Sequence, residues 1–180
     1  MPAMKAGGNP VLAPGLHWLR WGFLAFASQV ALIYGVSSSE QGRAWLPLLL
    51  PAAHLLLLPF LLRNLSFWGI RLILFGLILN LTAMAANGGL MPVGPGAVEA
   101  IGRDNLRDLE FGAAIPRSKN VLLQPDDMHL RELSDTILLP LPKPFTRAVS
   151  IGDMFVLAGV VLAYAEVIRR NSSTRVGAVS

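Results

Sequence analysis

Of the 180 residues, 53% are hydrophobic and only 14% charged, where an average soluble domain carries about 25% charge. The absence of cysteine excludes disulfides, thiolate metal sites, iron–sulfur clusters and thiol nucleophiles. The net charge of +4 comes from bases scattered near the ends of apolar runs, which suits the flanks of membrane helices and not a nucleic-acid surface.

Four runs are long enough to cross about 30 Å of hydrocarbon as helices: 18–36, 45–62, 67–86 and 150–168. The expected fold is therefore all-α and integral to a membrane. It has an N-terminal segment with three helices (1–86), a long connection (87–148), and a fourth helix with a tail (149–180). In the first run, Ala25-Phe26-Ala27 has the small-residue spacing of a leader cleavage site. The apolar stretch continues past it to Val36 and a long segment precedes it, so a span is the better reading. Ala27, Ala31 and Gly35 form a small-xxx-small stripe that lets helix backbones approach closely, within this fold or against a neighbouring subunit. Gln29 is a polar residue inside this span.

The second run contains Pro47, Pro51 and Pro59. Pro51 and Pro59 each remove a helical hydrogen bond, which predicts kinks there. His54 lies mid-span, where an imidazole needs a partner. It is a candidate axial ligand for a haem or chlorin beside the small Ala52 and Ala53. The structural alternative is a hydrogen bond to Asn80, to Thr82 or to a carbonyl freed by Pro51. Asn80, on the third run, is read as an interhelical hydrogen-bonding residue.

"NGGLMP" ends the third run. Asn87, Gly88 and Gly89 suit the left-handed turn that closes a helix, and Pro92 and Pro95 prevent its resumption. Leu90 and Met91 are expected against the membrane interface. About sixty residues follow, too many for a bare connection. Within them, 97–111 reads as a short amphipathic helix. Leu130, Leu133 and Ile137 would share a face of a second helix over 126–138. On that helix Asp126, His129, Glu132 and Asp135 would form a polar stripe, a candidate metal or catalytic site together with Asn87. "LPLPKP" at 139–144 reads as extended polyproline-like chain. Together these elements predict a small external cap. The fourth run opens on "SIGD", where Ser150 and Asp153 fit a reciprocal N-terminal cap. Near its end, Glu166 is expected to form a surface ion pair with Arg169 and Arg170.

Seven bases (Lys5, Arg20, Arg63, Arg71, Arg169, Arg170 and Arg175) fall on one side of a four-span topology. The 87–148 segment has seven bases and eight acids, few of the bases close to a span. The expectation is that both termini are cytoplasmic and 87–148 extracytoplasmic. Trp18, Trp21, Trp68, Tyr34 and Trp45 then lie at the two interfaces.

"NGGLMP", "SKNVLL" at 118–123, the acidic turn after it, "LPLP" and "SIGD" together resemble a bacterial family of small integral membrane proteins of unknown function, over roughly residues 70–168. The resemblance implies a membrane location and several helices, and supplies no activity, cofactor or catalytic residue. The functional expectation is an accessory or structural subunit contacting lipid and other membrane subunits, with no nucleic-acid partner. The alternatives are a pigment or haem carrier using His54, and a small transporter or membrane enzyme with an external polar site.

Overall fold

The computed structural model describes residues 16–101, 109–139, 142 and 146–177, with side chains as far as Ser172 in the last helix. In chain order the elements are α1 Leu19–Tyr34, α2 Glu40–Leu55, α3 Leu58–Arg63, α4 Trp68–Ala86, β1 Met91–Val93, α5 Pro95–Ile101, β2 Asn120–Leu122, β3 Ile137–Leu139, β4 Arg147–Val149 and α6 Ile151–Gly177. Among the described residues, four stretches are helical, long and apolar enough to cross a membrane: Leu19–Ser38, Glu40–Arg63, Trp68–Ala86 and Ile151–Ser172.

The second stretch begins five residues before its expected start. The Ser39 hydroxyl accepts from the Gly42 amide at 3.0 Å, and Glu40 sits in the positive first turn. α2 runs through Pro47 and Pro51 and ends after Leu55. Pro59 falls in the first turn of α3, where a missing N–H costs no helical bond. Pro51 leaves the Pro47 carbonyl without its usual donor. The Gly89 backbone packs there so closely that a Cβ on it would lie 2.0 Å from that oxygen.

α4 closes with a 2.7 Å bond from the Gly89 amide to the Met84 carbonyl across a left-handed Gly88 (φ 72°), a Schellman turn. Asn87 itself is not left-handed. Leu90 and Met91 do not lie at an interface as expected. They are buried with Leu46, Leu50, Ala83, Met84 and Val121, because the glycine turn folds the chain back onto α2.

The all-α expectation also needs correction. β1 and β2 pair in parallel, Met91 opposite Asn120 and Val93 opposite Leu122. β3 and β4 pair antiparallel, Ile137 opposite Val149. Strands of three residues are too short to show an alternating pattern. The helix expected over 126–138 is absent: single 3₁₀ turns at Pro125–Asp127 and Arg131–Leu133 precede β3, and Leu130 is left-handed at φ 53°. Of the helix expected over 97–111, only α5 through Ile101 is seen, and residues 102–108 lie outside the described residues. Most of the "LPLPKP" stretch lies outside them too.

α4 and α6 form the most extensive pairing. They run antiparallel, and their glycines meet in register. A Cβ on Gly69 would lie 2.2 Å from the Ala163 nitrogen, one on Gly159 2.6 Å from the Gly69 oxygen, and one on Gly76 2.4 Å from the Gly152 oxygen. Each helix places its two glycines seven residues apart, the repeat that keeps one seam facing a partner. This seam, and not Ala27, Ala31 and Gly35, carries the close helix approach within the chain. Those three residues are exposed, and α1 buries Gly22, Ala25 and Gln29 instead.

Gly69→Ala and Gly159→Ala are expected to destabilise the protein by about 1–3 kcal/mol each through overpacking. Ala27→Leu on the exposed face should stay within about 0.5 kcal/mol. Denaturant unfolding of the detergent-solubilised protein measures all three.

Candidate functional site

The two ends of the α4–α6 pair are built from polar groups that apolar helices must satisfy internally. At one end, the Glu166 carboxylate on α6 accepts from the Trp68 and Gly69 amides at 3.1 and 2.9 Å. The expected surface pair of Glu166 with Arg169 and Arg170 is therefore corrected: Glu166 is buried and caps α4 from the neighbouring helix. The preference of a carboxylate for exposed helical N–H groups outweighs a solvent-exposed ion pair. Arg170 instead donates to the Ser66 carbonyl at 2.8 Å and stacks 3.9 Å over Phe67.

The other end holds the candidate site. Ser150 and Asp153 bond reciprocally: the Asp153 amide to the Ser150 hydroxyl at 3.0 Å, and the Ser150 amide to Asp153 Oδ2 at 3.3 Å. Asn80 on α4 joins both, donating to Asp153 Oδ1 at 2.7 Å and accepting from Ser150 Oγ at 2.8 Å. Lys119, one residue before β2, places its ammonium 2.6 Å from Asp153 Oδ2 and 3.4 Å from Asp135 Oδ1. Asn120 donates to Asp135 Oδ2 at 2.7 Å, and the Asp135 amide bonds to the Pro92 carbonyl at 3.1 Å. One ammonium thus faces two carboxylates in a largely buried centre that joins α4, α6 and both small sheets.

Burial opposes charging Lys119, but Asp135 and Asp153 outweigh it and hold the ammonium above the usual lysine range. Burial pushes Asp135 up to about 6, with Lys119 pulling the other way. Asp135 is 1% exposed, and its Oδ1 has the Lys119 ammonium at 3.4 Å as its partner. A cavity of about 210 Å³ opens beside it, walled by Val93, Val98 and Ile115, with Arg117, Arg147 and Tyr34 also lining it. Arg117 is left-handed at φ 54°, its amide donating to Ser37 Oγ at 2.9 Å.

The structure separates the expected metal stripe. Asp126, His129 and Glu132 are exposed while Asp135 is buried, because 3₁₀ turns replace the helix that would have aligned them. The described residues contain no group of three or more His, Asp and Glu able to hold a metal. Asn87 does not join such a site. Its side chain bonds to the Ala83 and His129 carbonyls and to the His129 amide, tying the end of α4 to that loop.

His54 is 8% exposed and engages the Leu50 carbonyl of its own helix at 2.8 Å. Its partner is neither Asn80 nor Thr82 nor the carbonyl freed by Pro51. Gln29 reaches the Ala53 carbonyl across α1 and α2 at 3.4 Å.

Lys119 and Asn120 stand in the "SKNVLL" stretch, whose local spacing assigns them no role, and Arg117 carries no local signal. The available signal was a lone lysine set against the apolar Val121-Leu122-Leu123.

Lys119→Met leaves the buried Asp135 carboxylate facing a half-buried Asp153 and should cost about 3 kcal/mol. Adding Asp135→Asn should recover part of that, a non-additivity that a double-mutant cycle measures. Asp135 holds its proton more tightly in the folded state than in the unfolded chain. Its contribution is therefore fully present below about pH 4 and is lost as the pH rises through about 6. Infrared difference spectra between pH 7 and pH 5 should show a protonated-carboxyl band that Asp135→Asn removes.

No curated protein and no solved structure matches the chain. A match to one family spans residues 15–165, taking in α1–α3 as well as most of the stretch, roughly 70–168, that carries the motif resemblance. The chain belongs to the family of unknown function DUF5317.

Proposed function

We propose that the protein is an accessory subunit of a larger membrane assembly in the bacterial inner membrane. In this reading both termini are cytoplasmic, and the 87–148 segment forms a folded cap on the outer side. The observation that carries the reading is the division of labour among the helices. α4 and α6 satisfy each other through a glycine seam and a polar clasp at each end. α1 turns Ala27, Ala31 and Gly35 outward, leaving its face of closest backbone approach open to another helix.

The absence of native cysteine makes the tests clean. Ala31→Cys should cross-link to a partner chain or a second copy in native membranes. Purification in mild detergent should retain that partner, and Ala27→Leu with Ala31→Leu should release it. A chain that runs alone in every mild detergent and gives no cross-link removes the proposal. For the topology, a membrane-impermeant thiol reagent applied to intact cells should label His129→Cys and spare Ser172→Cys.

A further inference from the structure

We propose that the groove between the start of α1 and α3 binds an anionic phospholipid, a phosphodiester with no compensating ammonium, whose acyl chain lies along the groove. The inference rests on the helices crossing a membrane and not on the subunit reading.

One end of the molecule gathers the bases. The His17 amide donates to Asn64 Oδ1 at 2.7 Å, and the Asn64 side chain donates to the His17 carbonyl at 2.8 Å, which ties the start of α1 to the end of α3. The start of α4 follows directly, and Glu166 and Arg170 bond it to α6 near that helix's end. Among the described residues this end carries Arg20, Arg63, Arg71, Arg169 and Arg170 against one acid, Glu166. Both Glu166 oxygens are taken by the Trp68 and Gly69 amides. The opposite end exposes Glu40, Asp126, Asp127 and Glu132. A ligand at the basic end therefore meets guanidinium groups and no open carboxylate, which favours a net anion over a zwitterion.

The groove supplies the shape. It is lined by Trp18, Leu19, Arg20, Trp21 and Pro59 and holds about 760 Å³, a volume in the range of small-molecule sites. The Trp21 indole N–H is fixed on the Leu56 carbonyl at 2.8 Å, which spreads its ring between α1 and the break after α2. Trp18 sits at φ 56°, a left-handed conformation that bulky residues rarely adopt. The Asn64 bonds to His17 hold it there, and its ring is exposed. The Trp18 indole N–H and the Arg20 and Arg63 guanidinium groups have no partner among the described residues. Arg63 lies one turn beyond Pro59 on the same face of α3. Helical side chains lean toward the N-terminus, so Arg63 flanks the groove. Indole rings, leucine and proline suit the upper part of an acyl chain, and N–H donors at the helix end suit a phosphate. A dissolved anion uses the arginines and leaves the apolar wall bare; a phospholipid uses both.

The test uses the full chain in phosphatidylcholine nanodiscs. Trp45→Phe and Trp68→Phe, both at exposed positions, leave Trp18 and Trp21 as the remaining indoles. Phosphatidylglycerol or phosphatidylcholine with brominated acyl chains is then introduced at equal mole fraction, and quenching of the two indoles reads occupancy of the groove. Phosphatidylglycerol is expected to bind at least about fivefold more tightly. Arg20→Gln combined with Arg63→Gln should abolish that preference, since both side chains are exposed and hold nothing in the fold. Arg131→Gln, exposed at the opposite end, should leave it unchanged. Equal quenching by the two lipids overturns the proposal, as does no quenching by either, the result of a groove filled by protein. So does a preference that survives loss of both arginines, or one that Arg131→Gln reduces as much.

Discussion

The structure depends on how closely the backbones of α4 and α6 approach. Lipid gives two apolar helices no hydrophobic reason to associate, so contact has to come from packing and from polar groups that have nowhere else to go. The glycines at 69, 76, 152 and 159 remove the side chains that would separate the two backbones. The antiparallel arrangement then sets each helix start beside its neighbour, where unpaired amides are available. Glu166 uses one set, and Ser150 with Asp153 uses the other. Seam and clasps are mutually dependent: a Cβ on Gly152 would displace the Asn80 oxygen that Ser150 bonds.

From this pair the rest is arranged outward. The Schellman turn at Gly88 and Gly89 folds β1 back over α2, and the Pro47 carbonyl left over by Pro51 lies where Gly89 passes. β1 aligns β2, which delivers Lys119 to Asp153 and Asn120 to Asp135. The connection is therefore held to the helices by a salt-bridged polar centre as well as by the Leu46–Met91–Val121 core. Such a centre contributes less to net stability than its contacts suggest, because desolvation offsets the attraction. It does specify one geometry, since any shift strands a charge. The burial that comes with it gives Asp135 its raised affinity for a proton.

Much of the architecture was legible in the chain because membranes simplify the code. Hydrocarbon thickness sets a length, and the four runs of apolar residues meet it. The stop at Asn87–Gly89 and the cap at Ser150–Asp153 were legible too, since each is a local arrangement within a few residues. Local signals also misled. Leu130, Leu133 and Ile137 have helical spacing, but a left-handed Leu130 and the pairing of Ile137 with Val149 override it. Ala27, Ala31 and Gly35 have the spacing of a packing seam and face outward, while the working glycines, seven apart on two separate helices, show their meaning only when the helices are paired.

The sequence by itself determined the number and approximate position of the apolar helices, the glycine turn that closes α4 and the Ser150–Asp153 cap, because each follows from composition or from neighbours within one or two turns. Only the tertiary structure decided which polar residues meet. Asn80 and Asp153 are 73 residues apart in the chain, Trp68 and Glu166 are 98, and Lys119 reaches Asp153 across 34. No local rule links residues at such separations. A buried polar group bonds to whatever partner the packing of distant segments brings within reach.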